Sequence, residues 1–411
     1  MKKIGIVSIG YGWLPCEHGP SRFYYIAKIF SEQGYDVELI TTTYQHFDKA
    51  PRDKEKILSM GYPFKITFIE APAYKKNIDP SRIYSNLVFA KNVTKYLNES
   101  AGYDVIYCSI PSNRVARRVA EYCAKTNTPL ITDVEDLWPE AMEMVIRNGA
   151  ARKLLFPLKN DAEKVYALSD AVIGTSEEYT ARAYKNQKRD IPYKTVYVGC
   201  DMAVFDNGIR DYAGEIEKPD GEIWIMYAGS IGTSYDIDNL VEAAKIFRDE
   251  GDARIRFMIL GTGPEKERLE KLAEEYGLSN VRFLGYTAYP KMAAYLSKGD
   301  LTVNSFVKGA PQSIVNKVGD YLAAGKPMIN TLESPEFMGL VEKYGFGKNV
   351  EPGKPAAFVK AVKELLEDPA RYAKMCDNAR HLAETAFDRK HAYLTMVKTA
   401  DDLIEARRHG R

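Results

Sequence analysis

The chain alternates short apolar strands with amphipathic helices along most of its length, and the alternation occurs twice. In the first half, runs such as KIGIVSI, DVELITT and DVIYCSI are separated by helical stretches such as SRFYYIAKIFSEQG and RVARRVAEYCAKT. Strands that are apolar at nearly every position are buried on both faces, which is typical of a parallel sheet between two layers of helices. The pattern therefore predicts an α/β protein.

The second alternation begins with EIWIMYAGS, after a polar stretch with glycine and proline at residues 205–222 that we interpret as a linker. We expect two tandem Rossmann-like, doubly wound domains, residues 1–205 and residues 206–390. Residues 391–411 carry apolar side chains at three- and four-residue spacing, so we expect a helix that packs back on the first domain. Tandem domains of this kind predict an interdomain cleft at the carboxyl ends of the strands.

The composition excludes several classes of protein. Of 411 residues, 45% are hydrophobic and 27% are charged, which excludes a disordered chain. The 57 Lys and Arg residues nearly balance the 56 Asp and Glu residues, so we expect no nucleic-acid partner. The five cysteines form no C-x-x-C pair, which predicts reduced thiols and no metal site. Glycines interrupt the first apolar run and no apolar stretch is long enough to span a membrane, so we expect a cytoplasmic protein.

The segment APQSIVNKVGDYLAAGKPMINT, residues 310–331, has the most specific pattern in the chain. It predicts a helix from about Ile314 to Ala324 that ends at a glycine and is followed by proline. Lys317 and Asp320 lie three residues apart and therefore on one face of that helix. Two interpretations are open, a surface ion pair or a site for an anion.

This segment resembles the nucleotide-sugar-binding helix of GT-B glycosyltransferases of the family 4 type. It is most similar to a branch in which Lys stands three residues before the acidic position, and members of that branch mostly build bacterial surface polysaccharides. The resemblance implies that Asp320 binds the ribose hydroxyls of the donor and that Lys317 contacts its diphosphate, roles that suit a carboxylate and an ammonium group. The common family pattern is Glu-x7-Glu, and here Gln312 stands at the first of these positions.

The resemblance extends to three loops that follow strands of the second domain, YAGSIG, ILGTGP and VRFLGYT. Glycines allow backbone N–H groups to approach phosphates, although a simple strand-turn-helix explains ILGTGP equally well. The family usually has Arg or Lys shortly after the first loop, and this chain has none there. The implied donor-binding residues are Gly229, Ser230, Gly232, Thr233, Gly261, Gly263, Gly285, Tyr286, Gln312, Ser313, Asn316 and Asp320.

Two segments of the first domain are further candidates. The turn after the first strand contains Gly19, Ser21 and Arg22, which the resemblance places near donor phosphate and acceptor, and Ser21 is equally well explained as a helix N-cap. The strand end ITDVEDLWPE carries Glu135 and Asp136 where many relatives have a His-Asp pair that faces the acceptor. Acidic groups clustered at a strand end are costly to bury without a task, so we expect Glu135 and Asp136, with Lys317, to be catalytic.

The resemblance implies a retaining glycosyltransferase that moves a sugar from a nucleotide diphosphate donor, of the UDP type, to a glycan or lipid-linked acceptor in cell-surface polysaccharide synthesis. Asp236 and Asp238 superficially form a D-x-D metal motif. We interpret Asp238 as the cap of a helix at residues 239–250, and we expect no metal and no cofactor. Two alternatives stay open: a catalytically weak sugar-nucleotide-binding protein, suggested by Gln312 and the missing loop cation, and a sugar-nucleotide epimerase of the same fold.

The stretch ARKLLFPLKN, residues 151–160, mixes three basic with four large apolar residues. It has two interpretations, a helix packed in the core with a charged outer face, or peripheral contact with an anionic membrane at the inner face of the cell. Because similar enzymes act on lipid-linked acceptors, we favour membrane contact.

Overall fold

The chain divides into two compact units. Unit 1 is Met1–Tyr197 with Tyr393–Arg411, and unit 2 is Val198–Ala392. The computed structural model describes residues 1–9, 12–17, 21–76, 79–145 and 153–409.

Unit 1 contains a parallel sheet whose strands are the apolar runs of the first half of the sequence. Its described strands are β1 (Lys3–Val7), β2 (Asp36–Thr42), β3 (Tyr44–Gln45), β4 (Ala50–Pro51), β5 (Lys65–Ile69), β6 (Val105–Ile110), β7 (Leu130–Val134), β8 (Ala171–Gly174) and β9 (Tyr193–Thr195). The order is β5-β2-β1-β6-β7-β8-β9, with β3 and β4 forming a separate antiparallel pair. In β1, Val7 is in register with Ile40 on one side and Cys108 on the other. The chain therefore winds outward from β1 in both directions, as a doubly wound sheet does.

Helices cover this sheet in two groups. The described helices of unit 1 are α1 (Arg22–Glu32), α2 (Lys54–Ser59), α3 (Pro80–Glu99), α4 (Asn113–Thr126), α5 (Glu140–Val145), α6 (Phe156–Leu168), α7 (Glu177–Tyr184) and, from the end of the chain, α17 (Leu394–Arg408). Helices α3, α4 and α6 pack side by side, and α1 packs against α17. Val115 and Val119 of α4 are fully buried with Ile106 and Leu130 of the sheet, so this helix packs its apolar stripe into the core.

The C-terminal helix α17 belongs to unit 1 by its contacts. Met396 and Ala400 are fully buried, and the Met396 sulfur lies 3.5 Å from the Tyr107 hydroxyl. Lys2 Nζ donates to Asp401 at 2.5 Å, which joins the two ends of the chain. The helix begins at Leu394 instead of His391. The preceding residue, Tyr393, is buried, and the Arg22 guanidinium carbon lies 5.1 Å from the centroid of the Tyr393 ring.

Unit 2 repeats the architecture with six strands. Its described strands are β10 (Ile223–Ala228), β11 (Ile255–Leu260), β12 (Val281–Gly285), β13 (Leu301–Asn304), β14 (Met328–Asn330) and β15 (Gly347–Asn349), in the order β12-β11-β10-β13-β14-β15 and all parallel. Its described helices are α8 (Met202–Tyr212), α9 (Ile237–Asp249), α10 (Lys266–Glu275), α11 (Tyr289–Lys298), α12 (Lys317–Ala323), α13 (Pro335–Tyr344), α14 (Pro355–Glu367), α15 (Pro369–Leu382) and α16 (Arg389–Ala392). The core joins Ile225 and Phe257 of the sheet to Leu240 and Phe247 of α9.

The segment expected to be a linker at residues 205–222 is largely helical, and the unit boundaries differ from the predicted ones. Helix α8 covers residues 205–212 of that segment and a 3-10 turn follows at Ala213–Glu215, and Met202 and Phe205 are buried on one side of α8. It packs so closely on α11 that a Cβ on Gly208 would lie 2.6 Å from the carbonyl oxygen of Pro290. The first boundary accordingly falls at 197/198, not at 205/206, and the second falls at 392/393.

None of the helices in the described ranges is both long and apolar enough to cross a bilayer.

The buried side of α17 gives a direct test of its packing on unit 1. We expect Met396→Ala to lower the free energy of unfolding by about 2–5 kcal/mol, because it leaves a cavity beside Tyr107. Leu394→Ala on the same helix removes a side chain that is 39% exposed, and we expect a change within about 1 kcal/mol. Urea unfolding of both variants measures the difference, and equal values would mean that α17 does not pack on unit 1 as described.

Candidate functional site

The predicted donor-binding residues of unit 2 follow four neighbouring strands at their carboxyl ends. Gly229, Ser230, Gly232 and Thr233 follow β10; Gly261 and Gly263 follow β11; Gly285 ends β12 and Tyr286 follows it; and Gln312, Ser313, Asn316, Lys317 and Asp320 follow β13. The carboxyl ends of parallel strands meet at one edge of a sheet, where open α/β sheets bind their ligands. Unit 2 therefore presents these residues from a single edge.

The glycines of the first two loops hold those loops against each other. A Cβ on Gly261 would lie 1.8 Å from the carbonyl oxygen of Gly229, and a Cβ on Gly263 would lie 2.1 Å from that of Ile231. Both glycines have positive φ, 138° and 159°. Close backbone contact thus accounts for Gly261 and Gly263, while Gly229 faces the side chain of Lys317, whose Nζ would lie 3.5 Å from a Cβ placed there.

The ammonium group of Lys317 is enclosed by aromatic rings. Nζ lies 4.3 Å from the ring centroid of Tyr227, 4.4 Å from that of Tyr235 and 5.1 Å from that of Phe306. Nζ also donates a hydrogen bond to the Tyr227 hydroxyl at 3.2 Å, and that hydroxyl donates to the carbonyl oxygen of Ser230 at 2.6 Å. We call Tyr227, Tyr235 and Phe306 the aromatic cage.

The aromatic cage removes water from Lys317 without supplying a negative charge. Among the described residues, no carboxylate lies within ion-pair distance of Nζ. Burial disfavours the charged form and lowers the pKa of Lys317 to about 7. Cation–π contacts offset part of this cost, about 0.5–2 kcal/mol each. The site therefore holds a cation that lacks a counter-ion.

Asp320 lies in the same helix but contacts a different side chain. Its Oδ1 accepts a hydrogen bond from the Tyr289 hydroxyl at 2.7 Å. Burial raises the pKa of Asp320 to about 6, and the Tyr289 hydrogen bond and the charge of Arg389 oppose that rise. Since Lys317 and Asp320 form no ion pair with each other, the interpretation as a surface pair is wrong. The helix also starts three residues later than predicted, at Lys317, because residues 310–316 form a loop.

Two side chains in this loop are shielded from water. Ser313 is 1% exposed, and its hydroxyl donates to Glu336 at 3.4 Å. The Gln312 carbonyl oxygen is buried and accepts no hydrogen bond from the residues that the structure describes. Tyr286, by contrast, is 71% exposed. Gln312 thus offers an acceptor whose partner is missing.

The D-x-D residues make contacts of another kind. Asp236 accepts from the backbone N–H of Gly353 at 2.7 Å, and Asp238 forms a two-bond pair with Arg268 at 2.8 and 2.7 Å. Helix α9 begins at Ile237, so Asp238 lies in its first turn and is not its cap, contrary to expectation. In the described ranges, no group of three or more His, Cys, Asp or Glu side chains is arranged to hold a metal ion.

In unit 1 the predicted phosphate-loop residue Arg22 is buried in an ion pair. Its guanidinium donates to both oxygens of Asp133 at 2.8 and 3.1 Å, and to the carbonyl oxygens of Val196 and Tyr197. Arg22 and Asp133 are 4% and 0% exposed. Asp133 thus already neutralises the Arg22 guanidinium, and an anion-binding role for Arg22 stays a prediction. Ser21 makes no capping hydrogen bond to α1, and Gly19 lies outside the described residues.

Glu135 and Asp136 differ in what they contact. Both Asp136 oxygens are occupied, one by the Leu137 N–H at 2.8 Å and the other by the Trp138 indole N–H at 3.0 Å. The half-buried Glu135 carboxyl has no hydrogen-bond partner among the described residues. Burial, then the nearby charges of Asp133 and Asp136, raise the pKa of Glu135 to about 8, against the opposing charge of Arg22. Of the two, Glu135 has the environment of a functional carboxyl group.

Sequence reasoning missed the aromatic cage and the Tyr289 partner of Asp320. Tyr227 lies inside a strand and Phe306 directly after one, and apolar residues in such positions are usually core. A weak signal was available, because both stand at the carboxyl end of a strand next to a glycine-rich or polar loop.

One protein family and several known proteins match parts of the chain. Residues 209–382 match the family described as Glycosyl transferases group 1. The chain is 31% identical over 191 residues to the putative colanic acid biosynthesis glycosyl transferase WcaI of Escherichia coli strain K12. The matched stretch covers 46% of this chain and 45% of WcaI. The chain spans between about two-fifths and three-fifths of the length of the curated relatives it matches.

Solved structures resemble the whole chain. Sucrose-phosphate synthase of Thermosynechococcus elongatus gives a TM-score of 0.74 at 17% identity, covering 99% of this chain and 100% of that one. HepE of Anabaena in complex with UDP gives a TM-score of 0.69 at 16% identity, and the match covers 98% of this chain and 100% of HepE. At such identities the likeness concerns the fold, which is that of the GT-B glycosyltransferases.

The uncompensated charge of Lys317 has a consequence for stability. Its pKa in the folded chain, about 7, lies below its ordinary value of 10.5, so the unfolded chain binds more protons between these values and stability rises with pH across that window. We expect Lys317→Met to stabilise the protein by about 1–3 kcal/mol near pH 6, and we expect the gain to vanish near pH 10.

Chemical unfolding at the two pH values measures this difference. Lys308→Met is the matched control, because Lys308 is exposed and pairs with Glu351 at 3.4 Å. A gain for Lys317→Met that is the same at both pH values would show that the ammonium group is not desolvated in the folded protein.

Proposed function

We propose that the chain is a glycosyltransferase of bacterial surface-polysaccharide synthesis, because residues 209–382 match the family described as Glycosyl transferases group 1. We propose further that it takes its sugar from a nucleotide diphosphate donor and transfers it with retention of configuration. Support comes from the relative WcaI, named for colanic acid biosynthesis, and from HepE, which was solved with UDP and with UDP-glucose. A UDP-sugar is accordingly the donor class to test first.

One observation carries the proposal: the Lys317 ammonium group lies in the aromatic cage with no carboxylate beside it. A diphosphate provides the missing negative charge, and a buried cation paired with an anion costs far less than an unpaired one. The facing backbone at Gly229 allows close approach because it has no side chain. The unfavourable free energy of the charged Lys317 in the free protein is thus recovered when the donor binds.

Asp320 and Gln312 suit the other parts of a nucleotide sugar. With a pKa of about 6, Asp320 is largely ionised at neutral pH and accepts hydrogen bonds from ribose hydroxyls while Tyr289 fixes its orientation. The buried Gln312 carbonyl oxygen accepts from a sugar hydroxyl, which gives it the partner that it lacks in the free chain.

The reaction needs few groups from the protein. The bond between the anomeric carbon and the phosphate oxygen breaks, a bond from that carbon to the acceptor oxygen forms on the same face, and the acceptor proton passes to the leaving phosphate oxygen. Lys317 stabilises the charge that grows on the diphosphate. No metal and no cofactor take part in this scheme.

In unit 1 we assign acceptor contact to Glu135. Because its pKa is about 8, Glu135 is mostly protonated at neutral pH and donates a hydrogen bond to an acceptor oxygen instead of removing a proton. Asp136 serves to fix the following turn through Leu137 and Trp138. The acceptor is a glycan or a lipid-linked saccharide, used at the cytoplasmic face of the membrane.

A second candidate function is binding of a sugar nucleotide without transfer. It is favoured by the loop Gly229–Tyr235, which contains no Lys or Arg. Purified protein incubated with UDP-, GDP-, ADP- and dTDP-sugars separates the candidates. A transferase releases nucleoside diphosphate slowly from its donor, whereas a binding protein releases none.

We expect Lys317→Ala to reduce nucleoside diphosphate release by about 100-fold or more, because it removes the charge opposite the leaving group. Lys308→Ala, on the exposed loop before it, should keep near-normal release. The same assay in excess EDTA should proceed undiminished if no metal is required. Full release by Lys317→Ala would refute the assignment of the site.

A further inference from the structure

Helix α3 exposes large apolar side chains on its outer side. Ile83, Tyr84 and Leu87 are 64%, 60% and 47% exposed. Their spacing places them together on one face of the helix. The opposite side buries Phe89 and Val93 in the core of unit 1, so the helix is apolar on both sides. We call Ile83, Tyr84 and Leu87 the α3 outer face.

The α3 outer face lies in the first two turns of its helix, which follow the carboxyl end of β5. Helix α6, two places along the same helix layer, begins after β7 with Phe156, which is 69% exposed. Helices that follow parallel strands start at the carboxyl edge of the sheet, so the exposed apolar groups of α3 and α6 lie toward one edge of unit 1. An exposed apolar surface of this kind marks a contact with a partner or a membrane.

Basic residues border this surface. Lys75 and Lys76 precede α3, and Lys91 lies one turn beyond Leu87. All three are exposed, and no carboxylate of the described residues lies within ion-pair distance of any of them. One carboxyl group also lies at this border: Asp79, the N-cap of α3, accepts a hydrogen bond from the Ser81 N–H at 2.8 Å. The surface is therefore apolar with a positive border.

We propose that the α3 outer face docks unit 1 on an anionic lipid bilayer, with Ile83, Tyr84 and Leu87 entering the headgroup region and the bordering lysines contacting lipid phosphates. Apolar side chains flanked by lysines bind such surfaces through both burial and charge. The biological reason rests on the proposed function, since a lipid-linked acceptor is presented at a membrane. The segment expected to make this contact, residues 151–160, supplies Phe156 and Lys159 to the same edge, while residues 151 and 152 lie outside the described ranges.

Charge favours a bilayer over a second copy of the chain as the occupant. In a two-fold dimer the same patch meets itself, which would bring the bordering lysines of both copies together. Like charges in close contact oppose association, whereas anionic headgroups attract them. Association of two copies through this face is accordingly an outcome that the experiment must detect.

The test is flotation of the full-length protein with two kinds of vesicle, phosphatidylcholine alone and phosphatidylcholine mixed with phosphatidylglycerol. We expect the wild type to bind the mixed vesicles and to dissociate as salt is raised. Ile83→Ser/Tyr84→Ser/Leu87→Ser should weaken that binding by about tenfold or more. The control Leu58→Ser/Met60→Ser changes two side chains that are each 53% exposed but precede β5 at its amino end, and it should bind like the wild type.

Two further readouts keep the result interpretable. Circular dichroism should show that both serine variants are folded, and light scattering should show that neither changes the oligomeric state. The proposal is overturned if the wild type binds neither vesicle, if the control loses as much binding as the triple variant, or if the triple variant binds normally. A dimer that the triple variant dissociates would overturn it in favour of self-association.

The experiments distinguish a failure of the proposed enzyme activity from a failure of the proposed bilayer contact. Vesicle binding needs no donor, so Lys317→Ala should float like the wild type. Conversely, the triple serine variant should release nucleoside diphosphate from donor in solution at the wild-type rate. Loss of donor turnover with intact flotation would refute the enzyme activity alone, and intact turnover without flotation would refute the bilayer contact alone.

Discussion

The chemistry proposed for this chain depends on one buried positive charge. Lys317 is surrounded by Tyr227, Tyr235 and Phe306, which exclude water but contribute only the weak attraction of their ring faces. A desolvated ammonium group without a counter-ion is unfavourable in the free protein, and the diphosphate of the proposed donor supplies the missing negative charge. Three neighbouring groups also suit a bound donor. Gly229 leaves space at the backbone, and Asp320 is held by a hydrogen bond from Tyr289. The Gln312 carbonyl oxygen has no hydrogen-bond donor among the described residues.

Charge is managed differently in unit 1. Arg22 and Asp133 neutralise each other in the core. Arg22 also donates a hydrogen bond to the hydroxyl of Tyr393, which lies just before the C-terminal helix. Glu135 stands just beyond the pair and retains its proton to about pH 8, because the negative charge of Asp133 and the loss of water both favour the neutral form. One unit thus presents an unpaired cation and the other a neutral carboxylic acid. In the described ranges, neither group belongs to a set of side chains arranged to hold a metal ion.

Much of the fold follows from the sequence because strand and helix periodicities are local properties. The two series of apolar strands predicted both sheets, and the spacing of Lys317 and Asp320 identified the central helix. The expected linker at residues 205–222 was wrong because its polar composition hid the buried Phe205, whose partner Tyr289 comes about eighty residues later. The pairing of Arg22 with Asp133 was not foreseen for the same reason, since it joins residues 111 positions apart. The aromatic cage combines three separated segments, and the local sequence around its members differs only weakly from that of core residues.

If the Lys317 ammonium group is desolvated and pairs with a bound anion, the pKa of its side chain must differ between the free and the bound protein. NMR titration of the lysine side chains, with the Lys317 signal assigned from a Lys317→Arg variant, follows the ammonium group itself. We expect the pKa of Lys317 to be about 7 in the free protein and to shift strongly upward when a nucleoside diphosphate binds. An ordinary value near 10.5 in the free protein, or a value that the nucleoside diphosphate leaves unchanged, would contradict it.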